Sequence, residues 1–263
     1  MTLAGIAVLI VAVVTGIAIV VITHRVTCPD NTTSATPAAP ATSSAASSSS
    51  TPVTPNDTDA EERALAARPM VRLPAQAAQP QAMTTATAGP EIDVPEPRVT
   101  AARWIPGGFP PTPEGALGQL KALNETALAA GDPQVYARAY RDMSRAGAPD
   151  PDSTGLFSLL TRLRATAELP ATGSVSGLSA AFEVNHGQVK GTATDGTYVV
   201  VCVLGQFSVD YQGQVVTAGV GDCQAMRWTG IAWRIAAGTL AAPAPSAWPG
   251  SADAVKAGYR ELS

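Results

Sequence analysis

Apolar and polar residues follow one another along this chain in three different rhythms. From Leu3 to Ile22 no charge interrupts the apolar run; as a helix it rises about 30 Å, enough to span a bilayer's hydrocarbon core. Over residues 112–169 apolar positions recur every three or four steps, the spacing of one helix face. Over residues 197–235 the period drops to two and β-branched residues dominate, which suits pleated, half-buried strands.

The second rhythm predicts three helices. Thr112-Pro113-Glu114 opens the first with a capping hydroxyl, a proline tolerated in the first turn, and an acid at the positive dipole end. Leu117, Leu120, Leu123, Ala127 and Leu128 form its stripe, and Gly131 ends it. Asp132-Pro133 starts the second, with Val135, Tyr136, Ala139, Tyr140 and Met143 inward and Gly147 closing it. The third runs from about Thr154 to Leu169, with Leu156, Phe157, Leu160 and Leu163 inward and Pro170 as the stop.

The third rhythm predicts an antiparallel meander turning at Gln212-Gly213 and Thr229-Gly230, preceded by short strands over residues 181–184 and 188–194 and a turn at Asp195-Gly196. If Gln212-Gly213 is a two-residue loop, Tyr211 faces Gln214. Nine steps back and nine steps forward from that pair, Cys202 then faces Cys223. This is a non-hydrogen-bonded position with Cα atoms about 4.5 Å apart, so the register predicts a disulfide unless a bulge at Gly205, Gly219 or Gly221 shifts it. Parity puts Val199, Val201, Val203, Met226, Trp228, Ile231, Trp233 and Ile235 on one face, and Tyr198, Val200, Cys202, Leu204, Cys223, Ala225 and Arg227 on the other. The first, bulkier set is expected to pack on the helices. Beyond Gly238 an Ala-Pro run leads to Trp248, and a short helix from about Ser251 carries Val255, Tyr259 and Leu262.

The expected organisation is a transmembrane anchor over residues 1–25, a stalk over 26–100, an α+β domain over 101–240 and a Pro-rich tail with a short helix over 241–263. The stalk is rich in Ser, Thr, Pro and Ala and nearly devoid of large apolar residues. Such a chain cannot bury enough surface to offset its ordering entropy, so it is expected to be disordered. No Lys or Arg precedes the first apolar run and no small-x-small site follows promptly, which favours an uncleaved single span over a signal peptide. Arg25-Val-Thr before Cys28 departs from a lipoprotein signal. Arg25 taken alone argues for a cytoplasmic carboxyl-terminal side. The stalk and the Cys202/Cys223 register argue for an extracytoplasmic one, which is the reading adopted. A net charge of −4 and the lack of a basic patch speak against nucleic acid.

Candidate chemistry is sparse. His186 is the domain's one histidine, with Glu183 nearby in sequence, and reads as a loop residue without a function. No phosphate-cradling Gly-rich loop and no Gly-x-Ser-x-Gly is present, and no metal or cofactor is expected. Cys28 is either an unpaired thiol or an intermolecular bridge. Asp222 shares the core face with Gln224 and Val203; in an apolar pocket its raised pKa would suit a general base. The competing reading has Gly-Asp-Cys on a bulge, with Asp222 capping backbone groups at the sheet edge. Trp104 and Trp248, outside the regular elements, and Tyr259 either anchor the chain to its own domain or mark a partner surface. Asn31-Thr-Thr, Asn56-Asp-Thr and Asn124-Glu-Thr match the glycosylation sequon.

Helices followed by a curved antiparallel sheet resemble the α+β cone of the nuclear transport factor 2-like superfamily. With an anchor and a linker, the whole chain resembles single-span assembly components of bacterial type IV secretion and Gram-positive conjugation machines. Residues 108–117, Gly-Phe-Pro-Pro-Thr-Pro-Glu-Gly-Ala-Leu, and 221–228, Gly-Asp-Cys-Gln-Ala-Met-Arg-Trp, are similar to segments of membrane-anchored actinobacterial proteins with no activity attached. The resemblance implies a tethered extracytoplasmic scaffold with protein partners in the cell envelope, and it carries over no functional residue. The other class compatible with the sequence is a tethered cone-fold enzyme or small-ligand binder with a pocket near Asp222. Oligomeric state stays open.

Overall fold

The computed structural model describes residues 55–99 and 104–263, with side chains from residue 58. The expected anchor, Cys28 and the stalk up to residue 54 lie outside the described residues. No helix among the described residues is long and apolar enough to cross a membrane. The elements are α1 (Pro55–Ala67), a 3-10 turn (Ala75–Ala78), α2 (Pro113–Leu128), α3 (Pro133–Asp142), α4 (Gly155–Thr166), β1 (Leu178–Thr192), β2 (Tyr198–Tyr211), β3 (Gln214–Trp228), β4 (Trp233–Ile235), α5 (Ala252–Lys256) and β5 (Arg260–Glu261). The architecture is α+β.

Helices α2, α3 and α4 start where side chains can cap them. Thr112, Asp132 and Thr154 accept from the N–H groups of Gly115, Gln134 and Phe157 at 3.1, 2.7 and 3.3 Å. Each cap satisfies one of the donors that a helix start leaves free. Helix α4 stops at Thr166, short of Leu169, because Glu168 turns left-handed at φ 55° ahead of Pro170.

The sheet order is β4-β3-β2-β1-β5 with every pair antiparallel. Gln212 (φ 54°) and Gly213 (φ 81°) make a hairpin turn whose twist matches the strands. From it the β2–β3 register runs without a bulge from Tyr211↔Gln214 to Tyr198↔Arg227 and brings Cys202 opposite Cys223. The two short strands expected over residues 181–194 are instead one strand, β1. It is bulged between Val184 and His186 and again between Val189 and Gly191. Bulges absorb the breaks in alternation and bend the strand without ending it.

The faces divide as parity requires. Val199, Val201, Val203, Met226, Trp233 and Ile235 share one core with the stripes of α2, α3 and α4. Ile231 departs from its expected place: it stands 84% exposed in the loop before β4, which begins only at Trp233. Tyr198, Val200, Cys202, Leu204, Cys223 and Ala225 form a second cluster on the opposite face.

What covers that second face corrects the domain boundaries. Residues 55–99, expected to be disordered stalk, pack onto the domain. Leu65, Ala66, Met70 and Leu73 lie on the second cluster, Ala77 and Ala78 are buried, and Ile92 joins the first core. Glu62 pairs with Arg227, and Glu61 accepts from the Thr194 N–H and hydroxyl. The Ala66 carbonyl accepts from Lys190 Nζ at 3.1 Å and from the Ala242 N–H at 2.9 Å. The tail belongs to the same body, since Ala241, Ala247, Ala254, Ala257 and Tyr259 complete the cluster. An alanine-rich strap has no bulk to build a core of its own. Its small side chains do let its backbone lie close to a sheet that other residues have already formed, and that burial offsets the ordering cost.

Candidate functional site

The helix-facing side of β3 carries two polar residues among apolar neighbours, Asp222 and Gln224, and the core closes over both. Asp222 is 6% exposed. Asn124 Nδ2 of α2 donates to Asp222 Oδ2 at 2.9 Å, and Gln224 Nε2 donates to Oδ1 at 3.0 Å. The Tyr140 hydroxyl of α3 donates to Gln224 Oε1 at 3.4 Å. Tyr136, also buried, has only a marginal contact to Thr154 and makes no well-formed hydrogen bond; Asn124 Oδ1 is likewise unpaired. The unbroken register through β3 corrects the reading of Asp222 as an edge cap on a bulge. It is an interior residue.

Burial pushes the Asp222 carboxyl above its ordinary value of 3.8, against the pull of hydrogen bonds from Asn124, Gln224 and the Cys223 N–H. Burial, with the Asp222 charge second, also raises the Tyr136 and Tyr140 phenols. The folded state therefore holds the Asp222 proton more tightly than the unfolded chain does. This contribution to stability is complete below 3.8 and is lost as pH rises from there through the raised value. A protonatable carboxyl between two amides could move a proton, but only for a substrate able to reach it.

The structure treats the other candidates unevenly. Cys202 and Cys223 are both buried, with their sulphurs at a bonding distance of 1.97 Å. Tyr259, expected as a possible partner contact, is buried and donates to the Pro245 carbonyl at 3.0 Å. A fully packed ring cannot meet a partner. Trp248 is half-buried, and its backbone N–H donates to the Ala77 carbonyl at 2.6 Å, so the main chain there ties the tail to the strap. Trp104 remains on the surface with Arg138 stacked 4.5 Å from its ring centre. His186 sits in β1 opposite Glu261 rather than in a loop, and burial lowers its pKa. Among the described residues no group of three or more His, Cys, Asp or Glu could hold a metal ion. Asn124 is fully buried, which closes its sequon in the folded protein.

Asn124 entered the sequence analysis only as a sequon; its place four positions after Leu120, on the apolar stripe of α2, is the signal that points to an interior polar residue. Arg164 was not. It is 1% exposed and donates to the carbonyls of Gly131, Pro170 and Gly173 at 2.7, 2.9 and 2.8 Å, clasping the α2–α3 turn to the loop after α4.

A separate cleft of about 620 Å³ opens on the outside, between residues 91–95 of the strap, the start of α2 and Val189 and Arg260 of the sheet. Asp222 does not line it. Comparison with protein-family models, with curated proteins and with solved structures finds no match to this chain.

Proposed function

We propose that the protein is a membrane-tethered scaffold of the cell envelope. A single span over residues 1–25 holds an extracytoplasmic domain, of the nuclear transport factor 2-like cone type, that works by contact with protein partners, as a component of a conjugation or secretion machine does. The uncharged run from Leu3 to Ile22 supports the tether. The facing cysteines support an oxidising compartment. The observation that carries the reading is the state of Asp222, sealed in the core with each carboxylate oxygen already accepting an amide N–H. An enzyme or small-ligand binder using this acid would need an opening to it.

The test sets Asp222→Asn against deletion of residues 1–25. A scaffold tolerates the substitution and fails without its anchor, even when the soluble domain is folded and secreted. In urea titrations across pH, Asp222→Asn is expected to erase the stability loss that accompanies ionisation. Loss of function in folded Asp222→Asn, with the soluble domain still active, would replace the scaffold by the enzyme.

A further inference from the structure

We propose that the outer cleft is a docking site for an extended, cationic segment of a protein partner, an inference that rests on the scaffold reading and names the chemistry of its partner. Ile92, Pro95, Pro110 and Val189 give the cleft apolar walls. Glu91, Asp93 and Glu114 stand among them, and among the described residues none of these three carboxylates is in an ion pair. Glu114 is partly offset by the α2 dipole; Glu91 and Asp93 are exposed. Arg260 is the one cation of the lining, and its Nε and Nη2 already donate to the carbonyls of Pro90 and Glu91 at 2.5 and 3.2 Å. Three carboxylates against one guanidinium leave the described lining net negative, so its apolar walls and charge together complement aliphatic side chains interspersed with Lys or Arg.

The cleft is also built before any partner arrives. The Ile92 and Val94 N–H groups donate to the carbonyls of Glu261 and Ser263 at 2.9 Å each, and Trp233 Nε1 donates to Pro110 O at 2.7 Å. Together with the prolines these bonds fix both walls, so little ordering cost remains for binding. About 620 Å³ takes a few side chains and no whole element. An extended segment fits this limit, because alternate side chains face opposite ways and can meet wall and rim in turn.

The test titrates the ¹⁵N-labelled full chain, in detergent micelles, with a capped hexapeptide alternating leucine and arginine. Saturable shifts are expected at the amides of residues 91–93, 114 and 189. Glu91→Gln/Asp93→Asn/Glu114→Gln should weaken binding about tenfold, and raising the salt should weaken it further. Absence of binding, shifts centred elsewhere, or equal affinity in a folded triple variant would each overturn the proposal. Equal binding by a leucine–glutamine peptide or by spermidine would overturn it too, the first removing the charge argument and the second the peptide. Anchor deletion in cells tests the scaffold reading, and this titration tests the cleft, so either can fail alone.

Discussion

The two faces of the central sheet are covered in different ways. On the helix side, Leu and Tyr side chains from α2, α3 and α4 interlock with Val, Met and Trp side chains of β2, β3 and β4. On the other side the cover is the strap and the tail, mostly alanine, and the backbone itself comes close. A Cβ added at Gly219 would meet the Ala247 carbonyl oxygen at 1.8 Å, and one at Gly221 would meet that of Pro245 at 2.5 Å. One face is held by side-chain bulk and the other by its absence. A sheet can thus recruit low-complexity chain as its second layer, provided that the strands leave room for a backbone.

This contrast predicts that damage to the two faces will look different. Leu120→Ala, at a fully buried position of the helix-side core, should cost about 4 kcal/mol and unfold the whole domain cooperatively in urea. The cysteines pin the strap-covered side of the β2–β3 hairpin. Mass spectrometry of unreduced protein should find Cys202 and Cys223 bonded, and their replacement by alanine should cost about 3 kcal/mol in the chain-entropy model. Two free thiols in secreted protein would remove this support for the compartment.

Smaller effects should separate the cover from the core. Gly219→Ala should cost about 2 kcal/mol by overpacking, and hydrogen exchange should quicken at residues 244–248 while α2 and β2 stay protected. Exchange that quickened equally in α2 would mean that the two layers unfold as one. Least of all, Glu62→Gln removes the ion pair to Arg227, under about 1 kcal/mol. Its main readout is local: trypsin should cut sooner at Arg63 and Arg68, with only a small shift of the urea midpoint.

Much of the helix-side half was legible in the sequence, because its signals are local. Thr112, Asp132 and Thr154 cap the helices that their neighbours build. The Gln212-Gly213 turn carries the register to Cys202 and Cys223, since a two-residue hairpin leaves no freedom in the count. The interior polar group was half legible. Asp222 and Gln224 follow from parity on one strand, whereas Asn124 and Tyr140 meet them only because α2 and α3 cross above that strand.

The strap was not legible. Alanine and proline show no periodic pattern when their packing partner is a surface built elsewhere in the chain, and composition alone argued for disorder. The burial of Tyr259, the tie between Trp248 and Ala77, and the cleft between Asp93, Glu114 and Arg260 depend on that same long-range docking. Periodicity, caps and the hairpin count are set by residues within a turn or a strand of one another, and these the sequence determined by itself. Which surfaces were left for alanine-rich chain to cover was decided only by the tertiary structure, because the free energy of that contact belongs to both partners and is written in neither.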